Sequence, residues 1–403
     1  MSSTNGAGIV DAQSARGRVL MIEQGGRGGV ADYTAELAPA LAAQGWDVEL
    51  ATAADHRYEP ASGVTVHGVF HYVRGSSPSG RLIRRAGVGR AANGLRFLAA
   101  VPRLIRLARD VDLVHSQGWE APPLGLIAIG ALRLSGATVV QTSHNTFERG
   151  RFLRRSRRVL RRVLERLTVR TIVHTEADLD RLPAGTPGRF VVIPHGEYGS
   201  LARTGGAVDR DAARAALGIG PEATVTLLFG QLRKEKGLDD LLAAAARVPE
   251  LTVLVGGKEL GALADAQPLL DGPELAGRVI VREGFLPMSE VAELFAAADT
   301  AALPYRMASQ SGVLLLAYGF HRPVIVYPVG GLAESVIDGE TGWICARPDV
   351  DALAGALAAS IDAGRAERVR RGEQGARLAD ERFAWSAVAR RTGELYDEVL
   401  AGA

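Results

Sequence analysis

The positions able to do chemistry in this sequence are cations, strand-end histidines and glycine turns. Between the β-branched run TVTLLFG (224–230) and an alanine- and leucine-rich stretch lies GQLRKEKG (230–237). Arg233 offers a planar fork for a phosphate and Lys236 a point charge. All three lysines of the chain lie in its second half, two of them in this loop. Gly230 closes the strand, and the helix that starts at Gly237 adds a favourable end for an anion. A solvated basic turn, partly neutralised by Glu235, is the plainer alternative. A second such place is SQSG (309–312), followed by VLLLAYG. Gln310 and Ser311 stand at a helix cap, and Gly312 and Val313 open a helix whose first N–H groups have no partner within it. The plainer alternative there is a capped core helix.

A third place is EQGGRGGVADYT, where Gly28 and Gly29 end a turn and open a helix. Glu49 stands about 20 residues downstream, where a dinucleotide site would keep its ribose-binding acid, but the spacing is GGxGG rather than GxGxxG. A tight turn lining another polar ligand fits that spacing better. His144 ends the run QTSH at the expected carboxyl edge of a sheet, and His115 and His174 end two other strands. No pair of histidines has the i, i+4 spacing of a helical zinc site. Asp110-Val-Asp112 and Asp349-Val-Asp351 have the spacing to bridge a divalent ion to a diphosphate, yet both sit at element boundaries. No metal site is assigned. An acid/base carboxylate pair, which a glycoside hydrolase needs, is not evident either.

These positions need elements to hold them. Short apolar strands alternate with alanine- and leucine-rich helices, the pattern of βαβ units and parallel sheets, and the pattern occurs twice. The first set is 18–24, 47–53, 64–70, 112–117, 138–144, 171–176 and 189–195; the second is 224–230, 251–257, 279–285, 300–305 and 323–328. The expected fold class is α/β, with two Rossmann-like doubly wound domains facing a cleft, residues 1–198 and 199–403. Ligands of such sheets bind beyond the carboxyl ends of the strands. The last helix, 385–400, has no strand after it and is free to pack on either domain.

The 403 residues include 47% apolar and 23% charged types, an ordinary globular balance. Aromatics, at 5%, are too sparse to stack bases along a nucleic-acid strand. The single Cys345 rules out a disulfide framework and suits a reducing compartment. The first residues lack the apolar core of a secretory signal, so a cytoplasmic location is expected. Net charge divides unevenly: 26 Arg against 17 acids in residues 1–198, and 21 cations against 28 acids in residues 199–403. Residues 149–170 hold ten Arg and one Glu, with Leu153, Leu160, Leu164 and Leu167 among their apolar positions. Such a helix fits either an anionic membrane surface or a core contact with a basic outer face.

Together these motifs resemble the retaining glycosyltransferases of family 4, which have the two-Rossmann-domain B-type fold. The resemblance runs from about residue 18 to 400 and rests on five features in the family's order. They are the glycine turn at Gly28 and Gly29, the histidine after the fifth strand, IPHG at 193–196, G-x-L-R-x-x-K-G at 230–237, and PVI-x-x-x-VGG-x-x-E-x-V-x-D-G-x-x-G from Pro323. It implies transfer of a hexose from a nucleotide-diphosphate sugar to a hydroxyl acceptor, a glycan or a lipid-linked molecule among the options. The cationic loop, which offers the charge stabilisation a metal would otherwise supply, and the lack of an acidic cluster give the expectation of no metal and no cofactor. The resemblance further implies that Arg233 and Lys236 neutralise the donor diphosphate and that His144 contacts the donor sugar. Gly28 and Gly29 would approach donor phosphate or acceptor, and Gly284, Phe285 and Leu286 would lie against the nucleobase. Gly312 and Val313 would present helix amides to phosphate.

The family's pair of glutamates is missing. Ala308 and Leu316 stand at their places, so Leu316 occupies the position of the ribose ligand, with Ser309 or Gln310 near the first place. A subgroup of the family shares the R-x-x-K-G loop and the S/T-Q-S-G helix start, which marks a variant donor site. A catalytically silent nucleotide-sugar binder and a sugar-nucleotide epimerase of the same architecture are the other functions these residues allow.

Overall fold

The structure, a computed structural model, describes residues 16–73, 89–118, 122–144, 159, 163, 166–179 and 189–402. Strands β1 (Gly17–Ile22), β2 (Trp46–Ala53), β3 (Val64–Phe70), β4 (Leu113–Ser116), β5 (Val139–Thr142), β6 (Arg170–Val173) and β7 (Phe190–Val192) form a parallel sheet of order β3-β2-β1-β4-β5-β6-β7. Around it, in chain order, are α1 (Gly29–Ala42), α2 (Gly89–Ala108), α3 (Pro122–Leu134) and the short α4 (Glu176–Leu179). Helices α5 (Gly199–Thr204) and α6 (Arg210–Leu217) lead into the second sheet.

Its strands are β8 (Thr224–Phe229), β9 (Leu251–Gly257), β10 (Val279–Glu283), β11 (Thr300–Leu303), β12 (Val324–Val326) and β13 (Gly342–Ile344), in the order β10-β9-β8-β11-β12-β13. The helices among and after them are α7 (Leu238–Ala245), α8 (Ala262–Leu270), α9 (Met288–Ala297), α10 (Gly312–Gly319), α11 (Gly331–Glu334), α12 (Val350–Asp362), α13 (Gly364–Arg382) and α14 (Trp385–Ala401). The strand order reverses between β1 and β4 and again between β8 and β11. These switch points open the crevices where doubly wound sheets bind ligands.

Every strand segment expected from the sequence is present; β13 was not expected. Its three residues, Gly-Trp-Ile, are too short for a periodic signal. Its glycine is there because a Cβ at Gly342 would run into the Val324 carbonyl of the neighbouring strand.

Burial on both faces explains why the strands are continuously apolar. Alternation along β1 sends Val19 and Met21 to one layer, with Tyr33, Leu37 and Leu41 of α1. Leu20 and Ile22 go to the other, with Phe97, Val101 and Leu104 of α2 and Ile129 and Leu132 of α3. In the second domain Val225 and Leu227 face α9 and α10, while Leu228 faces α7 and α12.

The last helix leaves the second domain. Phe383 belongs to that domain's core, whereas Trp385, Val388, Ala389, Leu395, Tyr396 and Val399 pack into the first domain beside α1. Two chain crossings therefore lie side by side. The Glu197 N–H donates to the Phe383 carbonyl at 2.7 Å, and Trp385 Nε1–H donates to the Glu197 carbonyl at 2.9 Å. Gly196, in the IPHG segment, is needed here because a Cβ would enter the Trp385 ring.

Candidate functional site

Three strand ends of the second sheet are bonded into one ledge. The Gly230 N–H donates to the Gly256 carbonyl at 2.9 Å, and the Gly284 N–H to the Gly257 carbonyl at 3.0 Å. From this ledge the loop 231–237 leads to α7. Arg233 and Lys236 are both half-buried in it. Arg233 Nε–H donates to Gln231 Oε1 at 3.0 Å, and Lys236 Nζ stands 3.5 Å from the centroid of the Tyr305 ring. Neighbouring cations are already neutralised: Lys234 by Asp265 at 2.5 Å, and Arg306 by Asp239 at 2.7 Å and by Asp240. Among the described residues, Arg233 and Lys236 have no carboxylate partner.

The start of α10 stands against the same ledge, since a Cβ at Gly230 would sit 3.3 Å from Val313 Cγ2. Ser311 caps the helix, its hydroxyl accepting from the Leu314 N–H. The amides of Gly312 and Val313 precede that bond and belong to the first turn a helix leaves unpaired. Among the described residues, Gln310 Oε1 and Tyr305 Oη are buried polar atoms without a hydrogen-bond partner.

Leu316 requires a correction. It is 6% exposed within the second domain's apolar core, among Leu315, Ala317 and Tyr318. It has no polar atom for a ribose hydroxyl, and it packs into an apolar cluster where a carboxylate would be costly to bury. Leu316→Glu should therefore restore no binding. It should destabilise the second domain by about 3 kcal/mol or more, the cost of an unpaired buried charge, visible as a lower urea midpoint.

In the first domain the glycine turn is organised by a residue that the sequence reading passed over. Glu23, 3% exposed at the end of β1, accepts from the N–H groups of Gly25 (2.6 Å) and Gly26 (2.7 Å), from Thr52 Oγ1 (3.0 Å) and from Tyr58 Oη (2.9 Å). Gly28 then turns at φ 89° and Gly29 opens α1. A cavity of about 420 Å³ lies above this turn, lined by Gly26, Arg27, Gly28, Asp32 and Tyr58 from the first domain and by Phe285 from the second. Phe285 is 89% exposed. The cavity thus bridges the two domains. Arg233 and Lys236 are not part of its lining. Glu49 lies mid-strand, opposite Leu20, and pairs with His67 Nε2 at 3.1 Å, away from any strand-end ligand.

His144, His174 and His195 form one aromatic cluster around Tyr33, and His115 is joined to it through Gln117. Tyr33 is in edge contact with His144 (centroids 4.7 Å apart) and His195 (4.9 Å), and His174 lies 5.1 Å from His144. His144 is half-buried. Its Nε2 lies 3.1 Å from Gln117 Oε1, and its Nδ1 lies 3.2 Å from His174 Nε2. Both ring nitrogens thus have protein neighbours, which the sequence did not indicate. Burial is the main force lowering the pKa of all four clustered histidines, to about 3 for His115 and His195. They are neutral at physiological pH.

The domains meet beside this cluster. The Glu334 carboxylate accepts the backbone N–H groups of Glu176 (2.9 Å) and Ala177 (2.7 Å), and Ser309 Oγ donates to the buried Asp178 carboxylate at 2.7 Å. Ser309 is therefore committed to the domain interface.

Neither Asp-x-Asp string faces the cleft. Asp112 accepts from the Arg18 N–H, Asp349 caps α12, and Asp351 pairs with Arg247. Among the described residues, no group of three or more His, Cys, Asp or Glu is placed to hold a metal. Nor does any described helix have the length and apolarity to cross a membrane. Most of the basic segment 149–170 lies outside the described residues, so its reading as a lipid-facing helix rests on sequence alone.

Two parallel-sheet α/β domains of seven and six strands, each with doubly wound strand order, are the B-type glycosyltransferase architecture. Residues 27–196 match the family described as Glycosyltransferase Family 4, and residues 223–363 match Glycosyl transferases group 1. A D-inositol 3-phosphate glycosyltransferase of Thermobispora bispora is 30% identical over 401 residues, covering 93% of this chain and 91% of that one. One of the same name from Acidothermus cellulolyticus is 28% identical, covering 94% of this chain and 87% of that one. Among solved structures, sucrose-phosphate synthase from Thermosynechococcus elongatus superposes with a TM-score of 0.73 at 22% identity, covering 96% of this chain and all of that one. Anabaena HepE in complex with UDP does so with 0.70 at 17% identity, covering 94% of this chain and all of that one. The chain belongs to the family 4, group 1 glycosyltransferases, and it is a glycosyltransferase with the B-type fold.

Proposed function

We propose that the protein transfers a hexose from a nucleotide-diphosphate sugar to a hydroxyl acceptor, with retention of anomeric configuration and without a divalent metal. One observation carries this reading: among the described residues, Arg233 and Lys236 stand without carboxylate partners in the loop where β8 ends, and the start of α10 lies against that strand end. A nucleoside diphosphate leaves readily once its developing charge is stabilised, and fixed cations with helix amides supply that stabilisation. A donor phosphate oxygen near the acceptor hydroxyl takes its proton, so no carboxylate base is needed. Retention is taken from the family resemblance. The names of the relatives, which carry inositol 3-phosphate, and the complexes of HepE with UDP and UDP-glucose support a nucleotide donor and a polyol or sugar acceptor. The cavity between Gly28 and Phe285 is the proposed entrance to the reaction centre.

The test is an acceptor screen with nucleotide sugars, read as nucleoside diphosphate released and as product anomeric configuration, with and without chelator. Release only with acceptor, unaffected by chelation, is expected. Donor binding without release across acceptors would identify a silent binder, and an isomerised donor without acceptor an epimerase. Loss on chelation restored by magnesium would overturn metal independence.

A further inference from the structure

The proton positions in the histidine cluster can be worked out from a fixed end. His174 is buried at the end of β6, and its Nδ1 lies 3.0 Å from the Ile193 carbonyl oxygen. A carbonyl only accepts, so Nδ1 carries the proton. A neutral imidazole has one N–H, so His174 Nε2 is a bare acceptor. The atom facing it, at 3.2 Å, is His144 Nδ1. Two bare nitrogens at that distance would repel, and a second proton on either ring is opposed by burial. His144 must therefore be the donor.

We propose that His174 is a positioning residue that holds His144 as its Nδ1–H tautomer and leaves the His144 Nε2 lone pair facing the Gln117 amide. The Gln117 amide, whose two ends have the same shape, then turns its NH2 towards His144 Nε2 and its oxygen towards His115, which the present arrangement places 3.4 Å from the other end. Tyr33 packs edge-on against the His144 ring and at a tilt of 54° against the His174 ring.

The consequence is chemical. A histidine protonated at Nε2 would donate a hydrogen bond to a sugar oxygen, whereas one bare at Nε2 accepts from a sugar hydroxyl. The tautomer assigned here makes His144 an acceptor, with the Gln117 NH2 as the group a sugar hydroxyl displaces. The tautomer follows from the protein's own atoms. Its effect on turnover rests on the proposed contact between His144 and the donor sugar, so the two can be tested apart.

The experiment is 15N-detected NMR of the full-length protein labelled at its 8 histidines, with His144 assigned by its loss in His144→Gln. Wild type should show His144 protonated at Nδ1 and bare at Nε2. His174→Phe should release it to the Nε2–H form that predominates in free imidazole side chains. His174→Gln, which puts an amide oxygen near the former Nε2, should restore the Nδ1–H form. Circular dichroism on both variants ensures that the folded chain is being compared. An Nε2–H tautomer in wild type, or an unchanged tautomer in folded His174→Phe, overturns the assignment. For the catalytic consequence, kcat should fall by about tenfold in His174→Phe, the worth of one oriented hydrogen bond, with donor affinity unchanged and with recovery in His174→Gln. A shifted tautomer with unchanged kcat would overturn the sugar contact and leave the tautomer assignment standing.

Discussion

Removing both free cations, Arg233→Ala with Lys236→Ala, should weaken nucleoside diphosphate binding at least a hundredfold. Each charge-assisted hydrogen bond to phosphate is worth about 1.5–3 kcal/mol, and 1.4 kcal/mol is about tenfold in affinity. Two such losses give about 3–6 kcal/mol if they add, and their shared target makes the lower figure the safer expectation. Stability should change little, because neither side chain has a carboxylate partner to abandon among the described residues. Lys236 gives up only its contact with the Tyr305 ring. Lys234→Ala is the matched control: it lies in the same loop and carries the same charge, but it is 67% exposed and occupied by Asp265. It should leave affinity nearly unchanged. Calorimetric titration of nucleoside diphosphate into the three proteins separates the outcomes. Equal loss in the Lys234 control would mean that the loop acts through general charge, and unchanged affinity in the double variant would remove these residues from the donor site.

The contrast between these lysines shows what local sequence carries and what it omits. GQLRKEKG announces a cationic loop between strand and helix, and nothing in it says which cation is spent. That depends on Asp265, which lies on α8 beyond a whole strand. The strands were legible because burial on both faces makes them apolar throughout, a signal that needs no tertiary knowledge. Leu316 stands at the place of the family's ribose ligand by sequence position alone, and helix α10 turns that position into the core. Glu23 was overlooked for the opposite reason. A single acid at a strand end has no spacing partner, and its role becomes visible only when Gly25, Gly26, Thr52 and Tyr58 converge on it. His115, His144 and His174 were each recognised as strand-end residues. That they share one cluster with Gln117 and Tyr33 follows from the parallel order β4-β5-β6, which brings the three carboxyl ends together.

Two glycines at strand and turn ends should respond very differently to one added methyl group. At Gly257 the backbone has φ +135°, and a Cβ would lie deep inside contact with the carbonyl oxygen of Gly230. That carbonyl cannot retreat cheaply. The Gly230 N–H is tied to Gly256, the Gly257 carbonyl is tied to Gly284, and Phe229 is registered on Gly256 in the β8–β9 ladder. Gly257→Ala should therefore cost about 3 kcal/mol or more, adding overpacking to an unfavourable backbone region. It should also displace the ledge that carries Arg233 and Lys236, so nucleoside diphosphate affinity should fall with stability. At Gly28 the backbone also has positive φ, +89°, but a Cβ would meet nothing within 4 Å. Gly28→Ala should cost only the backbone term, about 1–3 kcal/mol, and leave diphosphate affinity closer to wild type unless a ligand fills that space. Urea midpoints and titrations on both variants decide the matter. A Gly257→Ala protein as stable as wild type would show that the β8–β9 ends can slide apart. A large loss of donor affinity in a stable Gly28→Ala protein would place the donor against the turn, in the space that a methyl group now takes.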